Sequence, residues 1–288
     1  VYMLGFDLET YPIGPRRAPK VIVGAMNIRV SDAENFSVSE WATRVKDVEP
    51  CEYEHGGEPR SVYFFWADRL GDFLTLCEDI NCYIVAHNAA YDWSCISAMD
   101  ATYVNRVYDL YQSKKVQCTY IRSLIYLNSR GELKTKGNSK VELQHGKYGT
   151  TSLVGSCATF CGLDLSEVKD HDIQITYYKV EPIRNVFEWP KAYREYLVQD
   201  VEFLSDLFFS QESRGTVPLR ETYGQVYIFE EACRRASFHF SLTLASAWGL
   251  RVDGEAVRKL RRESEDEVQV VADQMVANGF ASQLKGKP

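Results

Sequence analysis

The sequence predicts an α/β protein, with three layers around one sheet and an all-helical tail. Three observations carry this. Five short runs of apolar, β-branched and aromatic residues lie within the first 120 positions. Helical spacing of apolar residues separates the later runs, the alternation that builds a sheet with helices against its faces. From residue 189 onward helical spacing dominates. The 288 residues suffice for a buried core and about two domains.

Each element has its own signal. Tyr2–Leu8 reads as a buried strand, broken by the prolines from Pro12 to Pro19. Lys20–Val30 runs apolar through Val-Ile-Val-Gly-Ala-Met and predicts a second strand. Residues 43–60 are polar, with Pro50, Gly56, Gly57 and Pro59, and predict an inserted loop. Ser61–Trp66 predicts a third strand, and Leu70, Phe73, Leu74 and Leu76–Cys77 follow with helical spacing. Cys82–Ala86 predicts a fourth strand, Tyr91–Met99 a helix and Val116–Tyr120 a fifth strand. Asn128–Gly149, with Arg130, Lys134, Lys136, Lys140 and Lys147, predicts a long contact loop or exposed hairpin. Ser152–Phe160 is helical and stopped by Gly162. Trp189–Phe209 is an amphipathic helix opened by Pro190, a favoured first-turn residue. Val217–Ala247 and Gly249–Ala277 extend the helical tail, the latter with a charged face from Arg258 to Glu267. There are no internal repeats.

Composition narrows the function classes. At 45% hydrophobic and 25% charged residues the chain is not of the disordered kind. A net charge of −7 excludes a grip on nucleic acid through bulk positive charge. Any such contact must use local patches, and Ser113–Lys147 holds eight Lys/Arg against two Glu. The longest apolar stretches, near Leu242–Leu250 and Val62–Ala67, fall short of the roughly 18 residues of a membrane span. No basic segment leading into an apolar run stands at the start, so no secretion signal is expected. Eight irregularly spaced cysteines, several in apolar runs (Cys95, Cys118), predict reduced thiols in an intracellular, cytoplasmic protein without membrane attachment. Cys157 and Cys161 share a helical face and could join His145 or His171 at a zinc ion, although no second Cys pair stands at finger spacing.

Three short segments carry candidate chemistry. Asp7-Leu8-Glu9 puts two carboxylates on one face of a buried strand, where they repel unless a cation lies between them. The same Asp-x-Glu spacing recurs at Asp32, Asp47, Asp200 and Asp253, so the buried strand around Asp7 is what singles out the first. In Ile84–Asp92 a strand ends at His87 and a helix begins near Ala90. Asp92 then falls in a first helical turn past the strand's C-terminal edge, where open α/β sheets place their sites and where an Asp also suits the helix dipole. His87 there is either a ligand or base, or a structural hydrogen-bonder. Tyr196 and Asp200, four apart on the late amphipathic helix, share a face.

Phe-Asp-x-Glu-Thr, Asn-x-x-x-Asp and Tyr-x-x-x-Asp, in this order and on these elements, resemble the three exonuclease motifs of the tyrosine-bearing DEDD 3′–5′ exonuclease superfamily. The resemblance covers about residues 2–210 and implies an RNase H-like fold with a mixed five-stranded sheet. It implies two divalent ions, Mg²⁺ or Mn²⁺, with Asp7 bridging them. Glu9 and Asp200 would hold the ion that activates water, and Asp92 would anchor the other. Tyr196 would orient the water; a phenol, ionising near about 10, is a poor base at neutral pH. Asn88, Thr10 and Tyr91 would meet the 3′-terminal nucleotide, with Ile13 as an apolar wedge. Two departures stand out: the long gap between Asp7 and Asp92, assigned to the insertion near 43–60, and Cys118-Thr119 where many relatives carry Asp-Thr.

The tail resembles the joint between exonuclease and polymerase in family A DNA polymerases, through Gly249-Leu250-Arg251-Val252-Asp253 and the helix after it. Expected domains are therefore 1–212, the exonuclease, and 213–288, the start of a polymerase domain that continues in a longer chain. The resemblance implies a proofreading exonuclease acting on a single-stranded DNA 3′ end, with the basic segment 113–147 guiding its backbone. The alternatives are an RNA-trimming exonuclease of the same superfamily and a catalytically weak strand-binding module.

Overall fold

The computed structural model describes residues 2–13, 18–30, 50–55, 58–132, 151–165, 171–218, 225–248 and 254–278. Strands β1 (Tyr2–Thr10), β2 (Val21–Val30), β3 (Pro50–His55) and β4 (Glu58–Trp66) come first. Helix α1 (Leu70–Asp79), β5 (Tyr83–Ala86), α2 (Ala89–Met99), α3 (Tyr103–Gln112) and β6 (Val116–Cys118) follow. Then come α4 (Thr119–Ser129), α5 (Leu153–Cys161), the single turn α6 (His171–Gln174) and the long α7 (Lys191–Arg214). A ribbon of β7 (Thr216–Pro218) and β8 (Gln225–Tyr227) leads to α8 (Ala232–Trp248), and α9 (Gly254–Ala277) is last.

The main sheet is open and mixed, in the order β3-β4-β2-β1-β5-β6. β1, β2, β4 and β3 run antiparallel in succession, while β5 and β6 run parallel to β1. The five expected strands are all present. The sixth, β3, lies in the segment read as an inserted loop. Pro50 and Pro59 sit within paired strands rather than breaking them, opposite Tyr63 and Glu54, and Cys51 to His55 pair residue for residue with Val62 to Glu58.

Strand periodicity divides the faces of β1. Leu4, Phe6 and Leu8 pack with Phe65, Phe73 and Trp93 among α1, α2, α3 and α8. Met3 faces the other way, against Leu204 and Phe208 of α7. On that same side Ile22, Val23 and Ala25 pack against Trp189, Leu197 and Val201. Gly24 lets the core close, because a Cβ there would overlap the Phe65 ring and lie 2.8 Å from Leu8 Cδ2.

Other differences from expectation have local causes. α3 and α4 lie where no helix was read, since their Tyr, Ile, Val and Thr residues favour strands until tertiary burial overrides propensity. The helix expected from Val217 begins only at Ala232; Pro218 cannot extend a helix, and β7 pairs with β8 instead. α5 matches its signals, with Ser152 Oγ accepting from Gly155 N at 3.1 Å and Gly162 closing it at φ 72°. Asn128 and Ser129 end α4, and 133–149 of the basic segment lies outside the described residues.

The chain divides into two compact units, Val1–Trp248 and Gly249–Pro288. Helix α8, in the expected second domain, thus packs within the first unit, where Phe240 stacks on Tyr111 with centroids 4.9 Å apart. Among the described residues no helix is long and apolar enough to cross a membrane. All eight cysteines are free thiols.

Candidate metal centre

The site forms where α7 and the start of α2 reach the C-terminal half of β1. On β1 the pleat sends Asp7 and Glu9 to the α7 side, one rung apart, opposite Ala25 and Val23 of β2. Asp200 comes from α7. Carboxylate oxygens of Asp7, Glu9 and Asp200 lie within 4.8 Å of one another, with Glu9 and Asp200 buried and Asp7 half-buried. Among the described residues this is the one group of three or more His, Cys, Asp or Glu side chains placed to share an ion.

Asp92 joins from the first turn of α2. It is buried, and that burial pushes its carboxyl well above the usual range, with the Asp7 charge adding to the effect. Hydrogen bonds from its own N–H and from that of Leu8 act the other way. The residue before α2, Asn88, adopts the left-handed conformation (φ 60°, ψ 42°), which turns the chain sharply from β5 into the helix. Asn accepts that conformation better than most residues. The Asn88 side chain makes no capping bond and stands exposed.

The remaining expected residues lie on or just after the same elements. Tyr196 sits one turn before Asp200 on α7 and is buried. Thr10 Oγ1 and Tyr91 Oη are 2.9 Å apart, which ties the end of β1 to α2. Burial raises the Tyr91 phenol. Ile13, three residues past the end of β1, is 73% exposed, an apolar side chain in solvent. His87 braces the scaffold: Nδ1 and Thr119 Oγ1 are 2.9 Å apart, and its ring meets Tyr120 edge-on. His145 and the side chain of His171 lie outside what is described, as does any zinc site built on them.

Two residues of this region have no counterpart in the sequence reading. Tyr177 is fully buried, its ring 6.3 Å from that of Tyr196, and its hydroxyl donates to Tyr193 O at 2.6 Å. Burial, then the nearby Glu9 carboxylate, hold its phenol well above the ordinary value. It lies in a stretch without clear periodicity, so no pattern singled it out. Glu202 is the second, and Asp200-Val201-Glu202 did carry a signal, one of the recurring Asp-x-Glu spacings.

The donor set fits a hard divalent cation. All the groups are carboxylate oxygens, the proper ligands for Mg²⁺ or Mn²⁺, with no sulfur or imidazole among the clustered donors. Close carboxylates in a partly buried site are stable together only when cations or protons offset their repulsion. No family model matches the chain, and no curated protein matches it.

Proposed function

We propose that the protein is a metal-dependent 3′–5′ exonuclease that removes nucleotides from a single-stranded DNA end, in the service of a DNA polymerase. The observation that carries this is the convergence of Asp7, Glu9 and Asp200 within 4.8 Å. Asp92 beside Asp7 completes a four-carboxylate set. The sheet order, antiparallel strands continued by two parallel ones, supports the RNase H-like reading.

In this reading Asp7, Glu9 and Asp200 would hold one ion, and Asp7 with Asp92 would hold a second. When bound, the ions supply an activated water and offset charge on the scissile phosphodiester. Tyr196, held by α7 beside Tyr177, orients the attacking water. Thr10 and Tyr91, paired at 2.9 Å, line the approach. Asn88 offers its exposed amide to the terminal nucleotide, and exposed Ile13 offers an apolar edge against a base.

The test is a 5′-labelled single-stranded DNA incubated with Mg²⁺ or Mn²⁺, beside Asp7→Ala and an RNA of the same sequence. Stepwise shortening from the 3′ end that needs the ion and is lost in the variant is expected, faster on DNA. Faster shortening of RNA would move the assignment to RNA trimming. No shortening with either ion would leave a strand-holding module.

A further inference from the structure

Asp200 reaches Asp7 and Glu9 only if α7 sits on the sheet in one particular register. The apolar contacts beneath it, from Leu197, Val201, Leu204 and Phe208, are non-directional. Sliding a helix by one turn moves a side chain about 5.4 Å along the axis, enough to take Asp200 out of the cluster. Something directional must select the register.

A buried polar network stands one rung from the site. Asn27 of β2 lies opposite Gly5 of β1, just before the pair of Asp7 with Ala25 on the same face. Asn27 Nδ2 donates to Glu202 Oε1 at 2.8 Å, and Ser205 Oγ donates to Asn27 Oδ1 at 3.0 Å. One amide therefore grips α7 at two positions a turn apart. Arg29 Nη2 and Arg60 Nη1 reach Glu202 Oε2 at 2.6 and 2.9 Å, and Arg29 Nη1 reaches Asp206 at 3.3 Å. Glu202 is thus held from both β2 and β4. Gly5 makes the room: a Cβ there would stand 2.8 Å from Asn27 Oδ1.

We infer that Asn27, Glu202 and Ser205, with Arg29 and Arg60, are positioning residues that set the register of α7 and thereby bring Asp200 to Asp7 and Glu9. The inference rests on the exonuclease reading only for its metal readout. A buried ion pair is weak evidence for net stability, and in this inference its role is to specify one arrangement, the one that assembles the ligand set.

The experiment compares Asn27→Leu, Glu202→Leu and Glu202→Gln with Leu207→Ala. Leu207 is on the same helix but faces α4 and α5, so its loss destabilises without touching the network. Mn²⁺ affinity is measured by calorimetry well below each melting temperature. The leucine variants are expected to bind at least tenfold more weakly, Glu202→Gln, which keeps one acceptor but turns an N–H against a donor, to fall between them and the parent, and Leu207→Ala to keep its affinity despite a lower melting temperature. Leucine variants that melt earlier yet bind Mn²⁺ normally would overturn the inference. If the parent itself binds no Mn²⁺ the exonuclease reading fails, and a crystal structure of Asn27→Leu/Glu202→Leu then decides. Asp200 displaced from Asp7 and Glu9 upholds the register role, and Asp200 in place refutes it.

Discussion

At the scale of residues, the site depends on charges that repel one another. Asp92 is raised by burial and by Asp7, so the folded metal-free protein binds a proton there more tightly than the unfolded chain does. Such a group stabilises fully below its unfolded pKa, and that contribution is lost as pH rises through the folded one. In EDTA the melting temperature should therefore fall as pH climbs from mildly acidic toward neutral. Asp92→Asn should flatten the trend, and a steep fall persisting in that variant would place its origin elsewhere. Calorimetric melting across pH measures both. Each removed carboxylate should also cost activity: Asp200→Ala is expected to lose at least about a hundredfold in rate, about 2.7 kcal/mol of barrier, in the labelled-strand assay. The clustering of Asp7 and Glu9 was legible because carboxylates in a buried strand contradict their surroundings, and Asp200 because it shares a helix face with Tyr196. Tyr177 was not, because a buried tyrosine resembles any core aromatic.

At the scale of elements, five of the six strands of the main sheet were legible as short apolar, β-branched and aromatic runs, and α5 and α7 from caps, proline and apolar spacing. Strand β3 was missed because the glycines and prolines around it read as a loop, while the pairing with β4 that makes it a strand cannot be seen in local sequence. The helices α3 and α4 were missed because local propensity opposed what packing imposes. Close packing gives one sharp expectation. Gly24→Ala should destabilise by about 1–3 kcal/mol, since the new methyl overlaps the Phe65 ring between β1 and β4. Denaturant unfolding reads this, and an unchanged midpoint would mean the ring moves aside freely.

At the scale of the whole molecule, the boundary expected at 212 cuts through the first compact unit. Helix α8 places Ala236, Phe240 and Leu244 in the core shared with α2, the helix that carries Asp92. A chain ending at Trp248 is predicted to fold and hold its ions, whereas one ending at residue 212 loses this brace and should melt markedly lower or fail to fold. Expressing both and comparing their melting curves decides it; equal curves would reinstate the shorter domain. Helical periodicity says that a helix exists, not which core it joins.

Everything turns on whether the four carboxylates hold divalent ions. The most direct measurement is a Mn²⁺ titration of the intact protein, followed by electron paramagnetic resonance and repeated on Asp7→Ala. The account predicts two ions bound per chain, a melting temperature that rises with Mn²⁺ (about 2.7 kcal/mol of stabilisation at a hundred times the dissociation constant) and loss of both effects in the variant. Parent and variant binding Mn²⁺ alike, or neither binding it, would contradict the account.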